Sequence, residues 1–255
     1  MGNASRLQRR TLEEVAHRPW PLPHRAWIQG QTWCDLLFAH WRVPAEQLRR
    51  VMPPTLPLHL YDDGSAWLGI TPFVLTGFRL RGTLPLPVVS TFPELNVRTY
   101  VTVEGKPGIW FFSLDAASLV AVEAARRAYR LPYFHARMEV ARRPASVAYV
   151  SARRDAARPF VFEATYGAEG APFVPAPGTL EHFLTERYCL YAADERGIYR
   201  AEIHHPPWHI RAANATIELN TMPPDGLDLD GEPLFHLAER QDVVIWPLRR
   251  ISGAA

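Results

Sequence analysis

Polar and apolar positions alternate most clearly around Pro93. Glu94, Asn96 and Arg98 fall on one face of an extended segment, and Leu95 and Val97 on the other. That pattern predicts strands at 96–103 and 109–113, joined by a hairpin through Glu104-Gly105-Lys106-Pro107-Gly108. The period then changes. Leu119, Val122, Ala125 and Tyr129 recur at helical spacing, which predicts a helix over 116–130 with Asp115 as its N-cap and Pro132 as its stop. Further strands are expected at about 135–141, 146–153, 160–166 and 199–204, with a last one over 237–251 broken by Pro247. A second long-period stretch starts at Gly178 and predicts a helix to about Arg187. Upstream, 31–41 reads as a strand, and Pro44 opens a short helix of sequence PAEQLRRVM. The runs 58–61 and 65–74 flank Asp62-Asp63-Gly64 as a hairpin, and a proline-rich loop covers 81–93.

Many strands and two or three helices in one chain without internal repeats predict an α+β fold. Its centre is a large curved, mainly antiparallel, barrel-like sheet. Residues 1–24 read as a polar N-terminal arm and 25–255 as a single domain.

Composition narrows the partners more than the fold. The chain has 255 residues, 47% of them hydrophobic, enough for a sizeable core. Lysine and arginine number 28, and all but Lys106 are arginine. They are scattered along the chain, so no nucleic-acid partner is expected. No apolar run is long enough to cross a membrane as a helix. With only Cys34 and Cys189, a disulfide framework is excluded and a reducing, cytoplasmic setting is expected.

The strings DLLFAHWRVP (35–44), FPELNVRTYV (92–101), WFFSLDAAS (110–118), LPYFHARM (131–138), GTLEHFLTERYCLYA (178–192) and EIHHPPW (202–208) resemble the YqjF-like family, domain of unknown function 2071. Over 92–138 the order of strand, hairpin, strand, helix and strand is similar to the acetoacetate decarboxylase-like superfamily. That resemblance implies a Schiff-base lysine just after the proline that follows the helix, and an acidic residue lining the pocket. Glu94 matches the acid, but Tyr133 stands where the lysine would. An imine needs a primary amine of lowered pKa in a dry pocket, which tyrosine lacks. The resemblance therefore implies the scaffold without its best-known reaction.

Two groups of residues carry candidate chemistry. Glu94, Tyr133 and His135 form a candidate acid/base set, because histidine titrates near neutrality and tyrosine can donate to a developing enolate. Asn96, Arg98 and Arg137 are candidates for holding a substrate, the arginines through a carboxylate. The plainer alternatives are a solvated strand face for Glu94 and Arg98, and core packing for Tyr133 and His135. His182, His204, His205 and His209 invite a metal reading but lack the pair spacing of a zinc site, so neither metal nor cofactor is expected. The expected partner is a small-molecule substrate or ligand. Assembly as a homo-oligomer through a sheet edge is a third reading.

Overall fold

Twelve strands lie in one sheet, in the order β12-β9-β8-β4-β3-β2-β1-β11-β10-β7-β6-β5. In chain order the elements are α1 (Asn3–Arg10), β1 (Gln29–Val43), α2 (Ala45–Val51), β2 (Ala66–Leu80), β3 (Phe92–Val103), β4 (Lys106–Ala116), α3 (Leu119–Tyr129), β5 (Tyr133–Arg142), β6 (Val147–Arg153) and β7 (Val161–Phe173). They continue as α4 (Leu180–Thr185), β8 (Cys189–Asp194), β9 (Gly197–His204), β10 (Ile210–Asn220), β11 (Leu234–Ile245) and β12 (Arg249–Arg250). The structure, a computed structural model, describes residues 3–85, 90–154 and 156–251. Residues 86–89 of the expected proline-rich loop lie outside the described residues.

Two extra pairings, β4 with β5 and β9 with β11, return the sheet onto itself. Their consequence is that the central strands are buried on both faces. On one side Leu37, Ala39, Ile70, Leu95 and Val97 pack with Tyr149, Phe162 and Tyr166. On the other, Leu36, Phe38, Phe73, Leu75 and Phe92 pack with Val122, Trp208 and Ile210. Near-continuous apolar strands are what two-sided burial demands. A polar side chain on either face must then find a partner inside the protein.

The predicted elements recur with three corrections. Asp115 is not a helix cap. It lies in β4, fully buried, and Arg153 bonds it through both Nε and Nη2. Ser118 caps α3 instead, its side chain accepting from the Ala121 amide. Leu58 bridges to Val101 of β3 rather than pairing with β2 as a hairpin. Ile210–Asn220, which carried no expectation, is an eleven-residue strand between β7 and β11.

The N-terminal segment is docked. Gln8 of α1 is fully buried; its Nε2 donates to Gly77 O, and its Oε1 accepts from Arg79 Nε. This helix makes four in all among the described residues. None of them is long and apolar enough to cross a membrane.

Candidate functional site

Strand register builds the site. Across β2 and β3, Phe73 opposes Glu94, Thr71 opposes Asn96 and Gly69 opposes Arg98; on β1, His40 opposes Gly69. Pleating sends all of these side chains to the face that carries Phe38, Phe73 and Trp208. Glu94, Asn96 and Arg98 are each buried, at 5–6% exposure. The solvated-face alternative is therefore excluded, and β3 carries three polar groups into the interior.

Tyr133 reaches Glu94 because β5 starts beside β4, in parallel, with Tyr133 paired to Leu114. Its hydroxyl lies 3.2 Å from each Glu94 carboxylate oxygen. Among the described residues no other group bonds that carboxylate. From the opposite face, Tyr149 donates to the Glu94 carbonyl at 2.8 Å and so holds the backbone in place. Burial pushes the Glu94 pKa up to about 8, and the Tyr133 hydrogen bond only partly offsets this. Glu94 is therefore a neutral carboxylic acid at pH 7, able to donate. Burial, with the Glu94 charge behind it, raises Tyr133 far above its ordinary value, so the phenol keeps its proton.

Further along the same face, the Tyr100 hydroxyl lies 2.6 Å from His40 Nε2 and donates to Leu184 O at 2.8 Å. With its single proton spent on the carbonyl, Tyr100 must accept from His40. That assigns the Nε2–H tautomer and leaves Nδ1 as a lone pair. This Nδ1 is buried without a partner, as are Asn96 Oδ1, Thr71 Oγ1, Arg98 Nε and Trp208 Nε1. Burial, then the charges of Arg98, His236 and Arg187, hold the His40 pKa well below its ordinary value. Gly69 is what lets the two side chains meet. A Cβ there would sit 3.1 Å from His40 Cδ2 and 3.3 Å from Arg98 Cγ.

Two expected site residues do not join this group. Along β5 the buried or core-facing positions are Ala136, Met138 and Val140, so His135 and Arg137 share the opposite, outward face. Arg137 is exposed and pairs with its neighbour Glu139 at 2.7 Å. His135 is half-buried and makes no hydrogen bond to Glu94. Tyr133 escapes to the interior only because it stands at the start of the strand, tucked against the apolar clusters beside β4.

His40 and Arg187 stand in the same interior as this group, a placement that the sequence did not announce. Their only signal was a polar residue inside a mostly apolar string, FAHW and ERYCLY. Of the histidines that invite a metal reading, His204 and His205 have ring nitrogens engaged by backbone carbonyls. His204 Nε2 bonds Thr11 O, His205 bonds the carbonyls of Arg187 and Pro206, and His209 is exposed. Among the described residues no cluster of three or more His, Cys, Asp or Glu is arranged to hold a metal ion.

The large curved sheet has its structural neighbours among the acetoacetate decarboxylase-like enzymes. The chain superposes on the enduracididine biosynthesis enzyme MppR in complex with pyruvate, with a TM-score of 0.62, 14% identity and 93% of each chain covered. It also superposes on the acetoacetate decarboxylase of Legionella pneumophila, with a TM-score of 0.63, 10% identity and 96% of each chain covered. At such identities the likeness is one of fold. Sequence supplies the family: the chain belongs to DUF2071, described as an uncharacterized conserved protein, whose profile matches residues 30–242. It is 44% identical over 233 residues to the uncharacterized protein YqjF of Bacillus subtilis (strain 168), covering 91% of this chain and 96% of that protein.

Proposed function

We propose that this protein is a small-molecule enzyme that acts on a small carbonyl or β-keto compound by acid/base catalysis, without an imine. The observation that carries the reading is Glu94, a buried acid held neutral by burial and hydrogen-bonded, among the described residues, only by the Tyr133 hydroxyl. In this reading Glu94 donates a hydrogen bond to the substrate carbonyl while the α-proton leaves to a water molecule, and Glu94 then passes its own proton to the enolate oxygen. The carboxylate left behind accepts from Tyr133, which keeps its own proton throughout. Asn96 and Arg98 orient the substrate from the next positions on β3. His135 and Arg137, which face outward, have no part in it.

An imine route lacks its amine. Lys106 is bound to Glu202 at 3.0 Å and lies 4.8 Å over the Trp20 ring, in a cleft on a different part of the molecule. The pyruvate bound to MppR, and the presence of an acetoacetate decarboxylase among the structural relatives, are consistent with a carbonyl-bearing substrate on this scaffold.

The test is exchange of α-protons of small ketones and keto acids into D2O, followed by NMR. Wild-type protein should accelerate exchange, and Glu94→Gln should lower the rate by about 10²-fold or more. Exchange unchanged in Glu94→Gln would rule out the catalytic role, leaving a non-catalytic ligand pocket. Borohydride with keto acids should label nothing, and an adduct on Lys106 would overturn the imine-free mechanism.

A further inference from the structure

Buried arginines are expensive, and their partners say what each is for. Arg18 and Arg200 reach Glu202, with Arg200 also on Glu104, and Arg153 reaches Asp115. Arg79 has no acidic partner among the described residues but donates to Gln8 Oε1 and Ser5 O and lies 4.9 Å from the Trp27 ring. Two others differ. Arg98 and Arg187 are 6% and 4% exposed, and neither has a carboxylate partner among the described residues.

The guanidinium of Arg98 lies 5.3 Å from the Phe38 ring, and its Nε is buried without an acceptor. The guanidinium of Arg187 packs against the rings of Tyr100 and Phe183, 4.7 and 4.3 Å from their centroids. One of its nitrogens meets His59 Nδ1 at 2.9 Å, while Nε and Nη2 are buried without an acceptor. Both cations act on Tyr100 and on His40, and Arg98 contributes to lowering Arg187 to about 10 once burial has had its larger effect. Two like charges therefore share one interior with no anion between them. Aromatic faces offset only a small part of such a cost.

We propose that Arg98 and Arg187 together form a buried seat for the anionic end of the ligand, a carboxylate lying on the same inner face as Glu94. The ligand class becomes a small carboxylic acid. Arg98 follows Glu94 by four residues on β3, about 13 Å of strand rise, so the seat lies further along the same wall than the acid. Guanidinium forks suit a planar carboxylate, and their unpartnered N–H groups supply the hydrogen bonds. The inference rests on the small-molecule reading for its site and not on the catalytic step.

Calorimetry on the full chain at pH 7 tests it, with sodium acetate, acetoacetate and 4-oxopentanoate against the methyl esters of the same acids. The seat requires at least one acid to bind tenfold or more tightly than its ester. It also requires that preference to vanish in Arg187→Gln and in Arg98→Gln, and to survive in part in Arg187→Lys. Arg187 packs on two rings, so the lysine variant and the wild-type comparison of acid with ester stand if the glutamine variant fails to fold. Acids that bind no better than their esters, or a preference untouched in folded Arg187 and Arg98 variants, would overturn the seat. The two readings fail separately. Acids bound without α-proton exchange would remove the enzyme and keep the seat, whereas exchange that is indifferent to the carboxylate would remove the seat and keep the enzyme.

Discussion

Two buried carboxylates in this molecule are treated in opposite ways. Glu202, on β9, is met by Arg18 at 3.4 Å, Lys106 at 3.0 Å, Arg200 at 3.6 Å and the Trp20 indole N–H at 2.7 Å. Every partner is fixed, and the network ties the N-terminal arm, through Arg18 and Trp20, to the sheet. Glu94, on β3, has one phenol for company, and its interior neighbours Asn96, Thr71, His40 and Arg98 each keep an unpartnered atom. A closed network is a clasp. An open one spends stability to hold groups ready for something else, which is the signature of a site.

The sharpest way to break the comparison is to remove each acid. Glu202→Ala strands Arg18, Arg200 and Lys106 and should cost about 3–5 kcal/mol in denaturant unfolding. A loss under about 1 kcal/mol would mean that the clasp is not structural.

Glu94→Gln should do the reverse. The folded pKa of Glu94 is about 8 against 4.5 for the free side chain, so the unfolded chain releases this proton first. Stability is therefore lost as pH rises from about 4.5 to about 8, and the deficit is constant above that. Relative to wild type, Glu94→Gln should gain on the order of a few kcal/mol by pH 8 and little at pH 4. Urea unfolding at the two pH values measures it, and an equal difference at both would mean that Glu94 is ionised in the folded protein.

Tyr133→Phe is a smaller change. It removes the one hydrogen bond that lowers the Glu94 pKa, so the acid should titrate at still higher pH. Stability should fall by about 1–3 kcal/mol at pH 7. The alkaline limb of the α-proton exchange profile should move up in pH, and a limb that stayed in place would separate Tyr133 from the acid. The smallest effect belongs to Lys106→Met. It takes one half-exposed partner from a Glu202 that retains three, so about 1 kcal/mol or less is expected, with exchange unchanged. Any loss of exchange would connect the two networks.

The contrast also marks what could be read from the chain. The alternation of Glu94, Asn96 and Arg98 against Leu95 and Val97 was legible because a strand has a strict period of two. Tyr133 was found beside Glu94 through the family resemblance of 92–138. His135 and Arg137 were placed with them by the same alternation, and there the rule worked against the expectation. The face shared by 133, 135 and 137 turns from interior to solvent within one strand, because β5 runs out from under β4. Asp115 looked like a cap by its place before a helical run, yet β4 runs on past it to Ala116, and Arg153 from β6 claims its side chain. The strand Ile210–Asn220 was overlooked because it alternates short and polar residues, with little apolar signal.

By itself, then, the sequence determined most element types, the two faces of β3, the family and the absence of an imine lysine at Tyr133. All of these depend on neighbours along the chain. Tertiary structure alone decided which faces became interior. Closure of the sheet through β4–β5 and β9–β11 puts the polar face of β3 in the dark, draws His40 and Arg98 together over Gly69, and brings Arg187 from beyond α4 to the same interior. Burial is a property of that closure, and burial is what turns Glu94 from an ordinary surface acid into a proton donor at neutral pH.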